Sequence, residues 1–172
     1  MNCNDPAVTE ARYLRVIELK TARLFEAAMV VGAIAANASE EQQAAMRRFG
    51  HSLGMAYQLS DDLLDYLADP AESGKNIGGD LAEGKPTLPL IHALRKGNST
   101  QTALIRNAII EGRLDHLQEV LNAVEATDAI PYTRALAERY RDSALAALAH
   151  FPESPHQKAL QNLARFAVER AS

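Results

Sequence analysis

A chain of 172 residues that is 47% hydrophobic and carries a formal net charge of -4 has the size and composition of a core-forming globular protein, not of a disordered or fibrous one. Its single cysteine, Cys3, excludes an internal disulfide framework and the Cys/His clusters that zinc requires, and it suits a reducing, cytoplasmic setting. No basic tract accompanies the few aromatics, so nucleic acid is not an expected partner.

Taken in chain order, the residues read as helix throughout. Residues 1–9 lack the basic and apolar regions of a signal peptide, and the longest apolar run, residues 27–36, reaches about half a bilayer span. Thr9 can cap a helix through "EARYLRVIELKTARLFEAAMVVGAIAANA". Ser39, followed by Glu40, Glu41 and Gln42, starts a second that continues to about residue 68. "DPAESGKNIGGDLAEGKPTLP" breaks the pattern. Thr87 is placed to cap a short helix with Pro89 in its first turn and Gly97 just past its end. Helices over 99–111, 114–126, 130–150 and 155–169 follow, separated by Gly112, Asp128 and "FPESP". The expectation is one compact all-helical unit over residues 1–172. His116, His150 and His156 are isolated, and lone histidines are more often solvated or at a core edge than catalytic.

The second helix carries "QLSDDLLD", residues 58–65. At about 100° per residue, Gln58, Asp61, Asp62 and Asp65 fall within roughly a 100° arc, while Phe49, Leu53, Ala56, Ser60, Leu63 and Leu67 crowd the opposite side. A solvated face is the ordinary reason for charge on a helix. Such faces usually mix signs, however. Here Asp61 and Asp65 form a like-charge i,i+4 pair, with no lysine or arginine between Phe49 and Gly74. Oxygen ligands without Cys or His favour a hard cation, and three aspartates on adjacent turns suit Mg²⁺ shared with a phosphate ligand better than a closed protein cage. No EF-hand spacing supports calcium.

Gly74, Gly78, Gly79 and Gly84 then surround Lys75, Asp80 and Lys85. Glycines permit close backbone approach, and lysines act as point charges for phosphate oxygens. The Walker spacing is absent. A surface connector is the bland reading of such a loop, but its place just beyond a carboxylate face favours a functional one. Lys20 is either a snorkelling surface lysine or a further cation for a polyanion.

Together "YLRVIELKTARLFEAA", "GMAYQLSDDLLDY" and "GKNIGGDLAEGKPTLPLIHAL" resemble the trans-isoprenyl diphosphate synthases, or polyprenyl synthetases, in particular their bacterial long-chain members. The resemblance covers most of residues 9–95. It implies the all-α isoprenoid synthase helical bundle, with Mg²⁺ bridging aspartates to an allylic prenyl diphosphate whose departure leaves a cation for isopentenyl diphosphate to attack. By position it assigns Asp61, Asp62 and Asp65 to the metal, with Asp61 the strongest direct ligand. Lys20, Lys75 and Lys85 become diphosphate contacts, Thr21 and Gln58 line the allylic site, and Lys20, Thr21 and Gln58 are the implied catalytic residues. Asp80 becomes a supporting acid near the metal or Lys75, and Tyr57 a wall residue.

The departure from the family pattern matters equally. Members carry two aspartate-rich motifs, and Asp61-Asp62 is the sole Asp-Asp pair here. The upstream Lys/Arg/His cluster for isopentenyl diphosphate is also missing. The resemblance therefore implies the C-terminal half of the bundle, inactive alone, whose complete enzyme is a homodimer or heteromer serving a pathway such as quinone side-chain synthesis. A non-catalytic subunit that stabilises a complete partner is the alternative, and an α-helical terpene cyclase is a weaker third reading.

Overall fold

The computed structural model describes residues 3–67 and 77–171. Every regular element among them is helical, so the all-α expectation holds. The elements are α1 (Glu10–Ile17), a π-helical turn (Glu18–Ala22), α2 (Arg23–Ala35), α3 (Glu40–Leu67), α4 (Gly79–Ala82), α5 (Leu88–Lys96), α6 (Ser99–Glu111), α7 (Leu117–Ala126), α8 (Ala129–Leu148) and α9 (Pro155–Glu169).

Local chemistry explains most of the boundaries. Thr9 Oγ1 accepts the Arg12 N–H at 3.3 Å. Ser39 and Gln42 form a reciprocal capping box, Gln42 N–H to Ser39 Oγ at 3.3 Å and Ser39 N–H to Gln42 Oε1 at 2.9 Å. Asn98 and Gln101 do the same for α6, and Ser154 caps α9. Gly112 ends α6 at φ 60°, in the left-handed region where glycine is least strained.

Three expectations need correction. The first helix is not α-helical throughout, because residues Glu18–Ala22 adopt a wider turn. A Cβ on Gly54 would lie 2.6 Å from the Ala22 Cα, so the backbones approach closely there, and a one-residue register change accommodates such a contact. The helix expected from residue 114 starts at Leu117. Thr87 stands at the N-cap position of α5, but its hydroxyl is hydrogen-bonded to the Tyr66 hydroxyl at 2.9 Å and makes no helix cap.

The chain divides into two compact units. One comprises Met1–Val16, Asp61–Arg134 and Ala171, and the other Ile17–Ser60, Ala135–Arg170 and Ser172. In the first, Tyr66, Leu81, Leu90, Ile105, Ile109, Val120 and Val124 are buried together. Phe49, Leu53, Ala144, Leu148, Ala164 and Ala167 make the core of the second. Each fully buried large apolar side chain in these clusters contributes about 1.5–3 kcal/mol before entropy is counted. Phe49, Leu53, Ala56 and Leu63 are buried as their helical phase predicts, but Leu67 is 43% exposed.

Candidate active site

In the first unit, the last turns of α3 carry Asp61, Asp62 and Asp65. Helical phase alone puts all three on a solvated face. The structure separates them: Asp61 and Asp65 are partly exposed, whereas Asp62 is buried. Burial of Asp62 is tolerable because the fully buried Tyr13 donates its hydroxyl proton to Asp62 Oδ2 at 2.5 Å. A charge-assisted bond of this kind offsets part of the cost of dehydrating a carboxylate. Burial, then the Asp62 charge and this hydrogen bond, raises the Tyr13 phenol pKa well above its ordinary value, so Tyr13 remains a donor.

The glycine-rich segment folds back onto α3. Gly78 N–H donates to the Asp65 carbonyl at 3.0 Å, and the Asp80 N–H donates to Asp65 Oδ2 at 3.0 Å. Gly78 adopts φ 84°, which favours a residue without a Cβ. A Cβ on Gly79 would stand 3.2 Å from Asp65 Oδ1, so glycine lets the carboxylate approach the loop. Lys85 Nζ reaches Asp80 Oδ1 at 3.2 Å and also pairs with Glu83. Desolvation and the nearby Asp80 charge raise the Asp65 carboxyl pKa; the Asp80 and Gly79 N–H groups and the Lys85 charge oppose that rise without cancelling it. The Lys85 ammonium is stabilised chiefly by its hydrogen bond to Glu83, then by Asp80, which raises its pKa.

In the second unit, Thr21 and Gln58 are brought together: the Thr21 hydroxyl donates to Gln58 Oε1 at 2.8 Å. Thr21 and Lys20 both lie in the π-helical turn, and Lys20 is exposed. Tyr57 is 38% exposed, with the Arg170 guanidinium 4.0 Å above its ring and the Phe25 ring 5.6 Å away. Arg170 Nη2 also donates to the Tyr57 carbonyl at 2.7 Å.

Lys75 lies outside the described residues. Among the described residues, no group of three His, Cys, Asp or Glu side chains comes together as a metal cluster. Asp61 and Asp65, the partly exposed carboxylates, are the oxygen donors that could bond a hard cation. The sequence reading missed Tyr13 and the Tyr66–Thr87 pair. A tyrosine one turn into an amphipathic helix looks like ordinary core, and only its partner 49 residues away reveals otherwise.

The arrangement of helices is that of solved prenyl diphosphate synthases. A polyprenyl synthase from Caulobacter crescentus, complexed with calcium and isoprenyl diphosphate, superposes with a TM-score of 0.91 at 37% identity, over 100% of this chain and 53% of that one. A decaprenyl diphosphate synthase from Rhodobacter capsulatus gives 0.90 at 39% identity, over 99% and 53%. In sequence, the octaprenyl diphosphate synthase of Escherichia coli is 50% identical over 171 residues, 99% of this chain and 53% of its own length. The model of the polyprenyl synthetase family matches residues 1–127, and the chain belongs to that family. It spans about half the length of the curated relatives it matches. Among the described residues no helix is long and apolar enough to cross a membrane.

Proposed function

We propose that this chain is the C-terminal catalytic half of an all-trans polyprenyl diphosphate synthase, binding Mg²⁺ and an allylic prenyl diphosphate for condensation with isopentenyl diphosphate. The observation that carries the reading is the folding of the glycine-rich loop onto Asp65 within a chain that belongs to the polyprenyl synthetase family. This fold-back supports a built carboxylate and ammonium site in place of a solvated acidic face.

The first unit supplies Asp61 and Asp65 as metal-facing carboxylates, and Asp62, clamped by Tyr13, acts through water or by orienting its neighbours. Glu83, and then Asp80, hold Lys85 charged for diphosphate oxygens, and Lys75 is assigned the same role by position. By position in the family pattern Lys20 is assigned a diphosphate contact and Thr21 and Gln58 the allylic site, and the Thr21–Gln58 hydrogen bond holds the amide in one orientation. Bound Mg²⁺ would supply charge stabilisation for the departing diphosphate. The oxygen-only donor set fits that ion.

The two readings separate in a prenyl-transfer assay of the chain alone and with the complementary half supplied. We expect no turnover alone and Mg²⁺-dependent product with the half restored. Absence of product from a folded complex would favour the non-catalytic subunit. In a second measurement, Mg²⁺ with inorganic diphosphate should raise the melting temperature of the parent chain, and Asp61→Ala should remove most of that gain. An undiminished gain would remove Asp61 from the metal site.

A further inference from the structure

Asn4 ties together parts of the first unit that lie far apart in sequence. Its backbone N–H donates to the Gly84 carbonyl at 2.7 Å, and its side-chain Nδ2 donates to the carbonyls of Ile109 at 3.2 Å and Ile110 at 3.0 Å. The last-turn carbonyls of a helix have no intrahelical partner, so Asn4 caps α6 from a distant segment. It does so at φ 61°, a left-handed backbone that asparagine tolerates better than most residues. Two neighbouring glycines make room for it. A Cβ on Gly84, which is buried at φ 63°, would lie 2.8 Å from the Asn4 Cγ and 3.0 Å from the Ile109 carbonyl oxygen. One on Gly112 would come 3.1 Å from the Ala82 carbonyl oxygen.

We propose that Asn4 is a positioning residue for Lys85: it latches the turn from which the Lys85 ammonium is presented. The inference rests on the proposed function, in which Lys85 meets diphosphate oxygens. The glycine-rich segment is fastened to α3 through Asp65, which accepts the Gly78 and Asp80 N–H groups. Its far end is fastened to Asn4 through the Gly84 carbonyl, one residue before Lys85. Between these anchors Lys85 is oriented by its N–H bond to the Asp80 carbonyl at 2.8 Å and by its ion pairs with Asp80 and Glu83. Those contacts lie within the segment and move with it, so they fix the ammonium relative to the turn and not relative to the bundle. Asn4 supplies a second polar anchor by holding the turn against the end of α6. The chain then runs from Asn4 into α1, whose Tyr13 holds Asp62, so one stretch of chain fastens both the lysine turn and the aspartate helix.

The test combines amide hydrogen exchange with diphosphate binding in the 172-residue chain. Asn4→Asp sets an acceptor against two carbonyls, and Asn4→Gly keeps the left-handed backbone while removing only the side-chain bonds. Asn4 is exposed, so water replaces part of what is lost and the fold should survive. Without ligand, the Gly84, Lys85 and Thr87 N–H groups, bonded to the Leu81, Asp80 and Lys85 carbonyls, should lose about tenfold in protection in Asn4→Asp and less in Asn4→Gly. The Val120 N–H in α7 should not change. Unchanged protection of the turn in both variants, or an equal fall at Val120, would overturn the proposal. With Mg²⁺ and inorganic diphosphate, calorimetric titration should show Lys85→Ala weakening binding about tenfold. Asn4→Asp should weaken it as well, and adding Lys85→Ala to Asn4→Asp should cost little more, because both act through one ammonium. Fully additive losses would make Asn4 a structural residue only and would also overturn the proposal. A parent chain that binds no diphosphate removes the proposed diphosphate site, and the exchange result then decides the latch by itself.

Discussion

Tyr13→Phe removes one hydroxyl from the first unit and should destabilise it by about 2–3 kcal/mol. The donor and acceptor are 2.5 Å apart, and both side chains are withdrawn from water, Tyr13 fully and Asp62 at 6% exposure. A neutral hydrogen bond contributes about 0.5–1.5 kcal/mol net, and one to a charged group about 1.5–3 kcal/mol, because its loss leaves a carboxylate short of a donor where water cannot replace it. The same unit holds an internal control. Tyr66 is also buried, and its hydroxyl bonds to the neutral Thr87 hydroxyl at 2.9 Å, so Tyr66→Phe should cost about 1 kcal/mol. Urea unfolding followed by circular dichroism measures both, with an unchanged slope confirming that the change lies in stability alone. A Tyr13→Phe cost no larger than that of Tyr66→Phe would refute the view that Tyr13 makes burial of Asp62 tolerable. A double-mutant cycle with Asp62→Asn sharpens the comparison, since a direct pair should show coupling of about 1 kcal/mol or more.

Two helical glycines of the second unit should respond to alanine with opposite signs. Gly54→Ala places a Cβ 2.6 Å from the Ala22 Cα, where overpacking against backbone outweighs the gain in helix propensity, and a net loss of about 2 kcal/mol in denaturant titrations is expected. Gly32→Ala enters open space and should stabilise the isolated chain by about 0.5–1 kcal/mol; equal signs for the two would contradict the packing described here. Asp65 has a raised pKa in the folded chain, so its protonated form favours folding: that stability is present below the unfolded pKa and is lost as pH rises through the folded one. Asp65→Asn, which keeps an acceptor for the Asp80 N–H, should flatten this decline. At neutral pH it should also relieve the like-charge pair with Asp61, by about 0.3 kcal/mol after screening at this half-exposed position. A variant whose stability falls with pH as the parent's does would show that Asp65 is not the titrating group.

The helices and their amphipathic phase were legible in the sequence because they depend on short-range spacing. Ser39 with Gln42 and Ser154 with Gln157 are three residues apart, and their capping bonds form as the local chemistry requires. The aspartate spacing, the glycines around Lys75, Asp80 and Lys85, and the family resemblance were equally readable, as was the presence of one aspartate-rich motif where the family has two. Tertiary structure decided what those residues touch. Tyr13 meets Asp62 across 49 positions, Thr21 meets Gln58 across 37, and Thr87 leaves its helix for Tyr66 across 21. Helical phase sorts a side chain toward or away from its own axis, but it carries no information on which segment returns to cover it. For that reason one of three adjacent aspartates is buried and clamped, another is held by a loop backbone, and the phase predicted the same solvent for both.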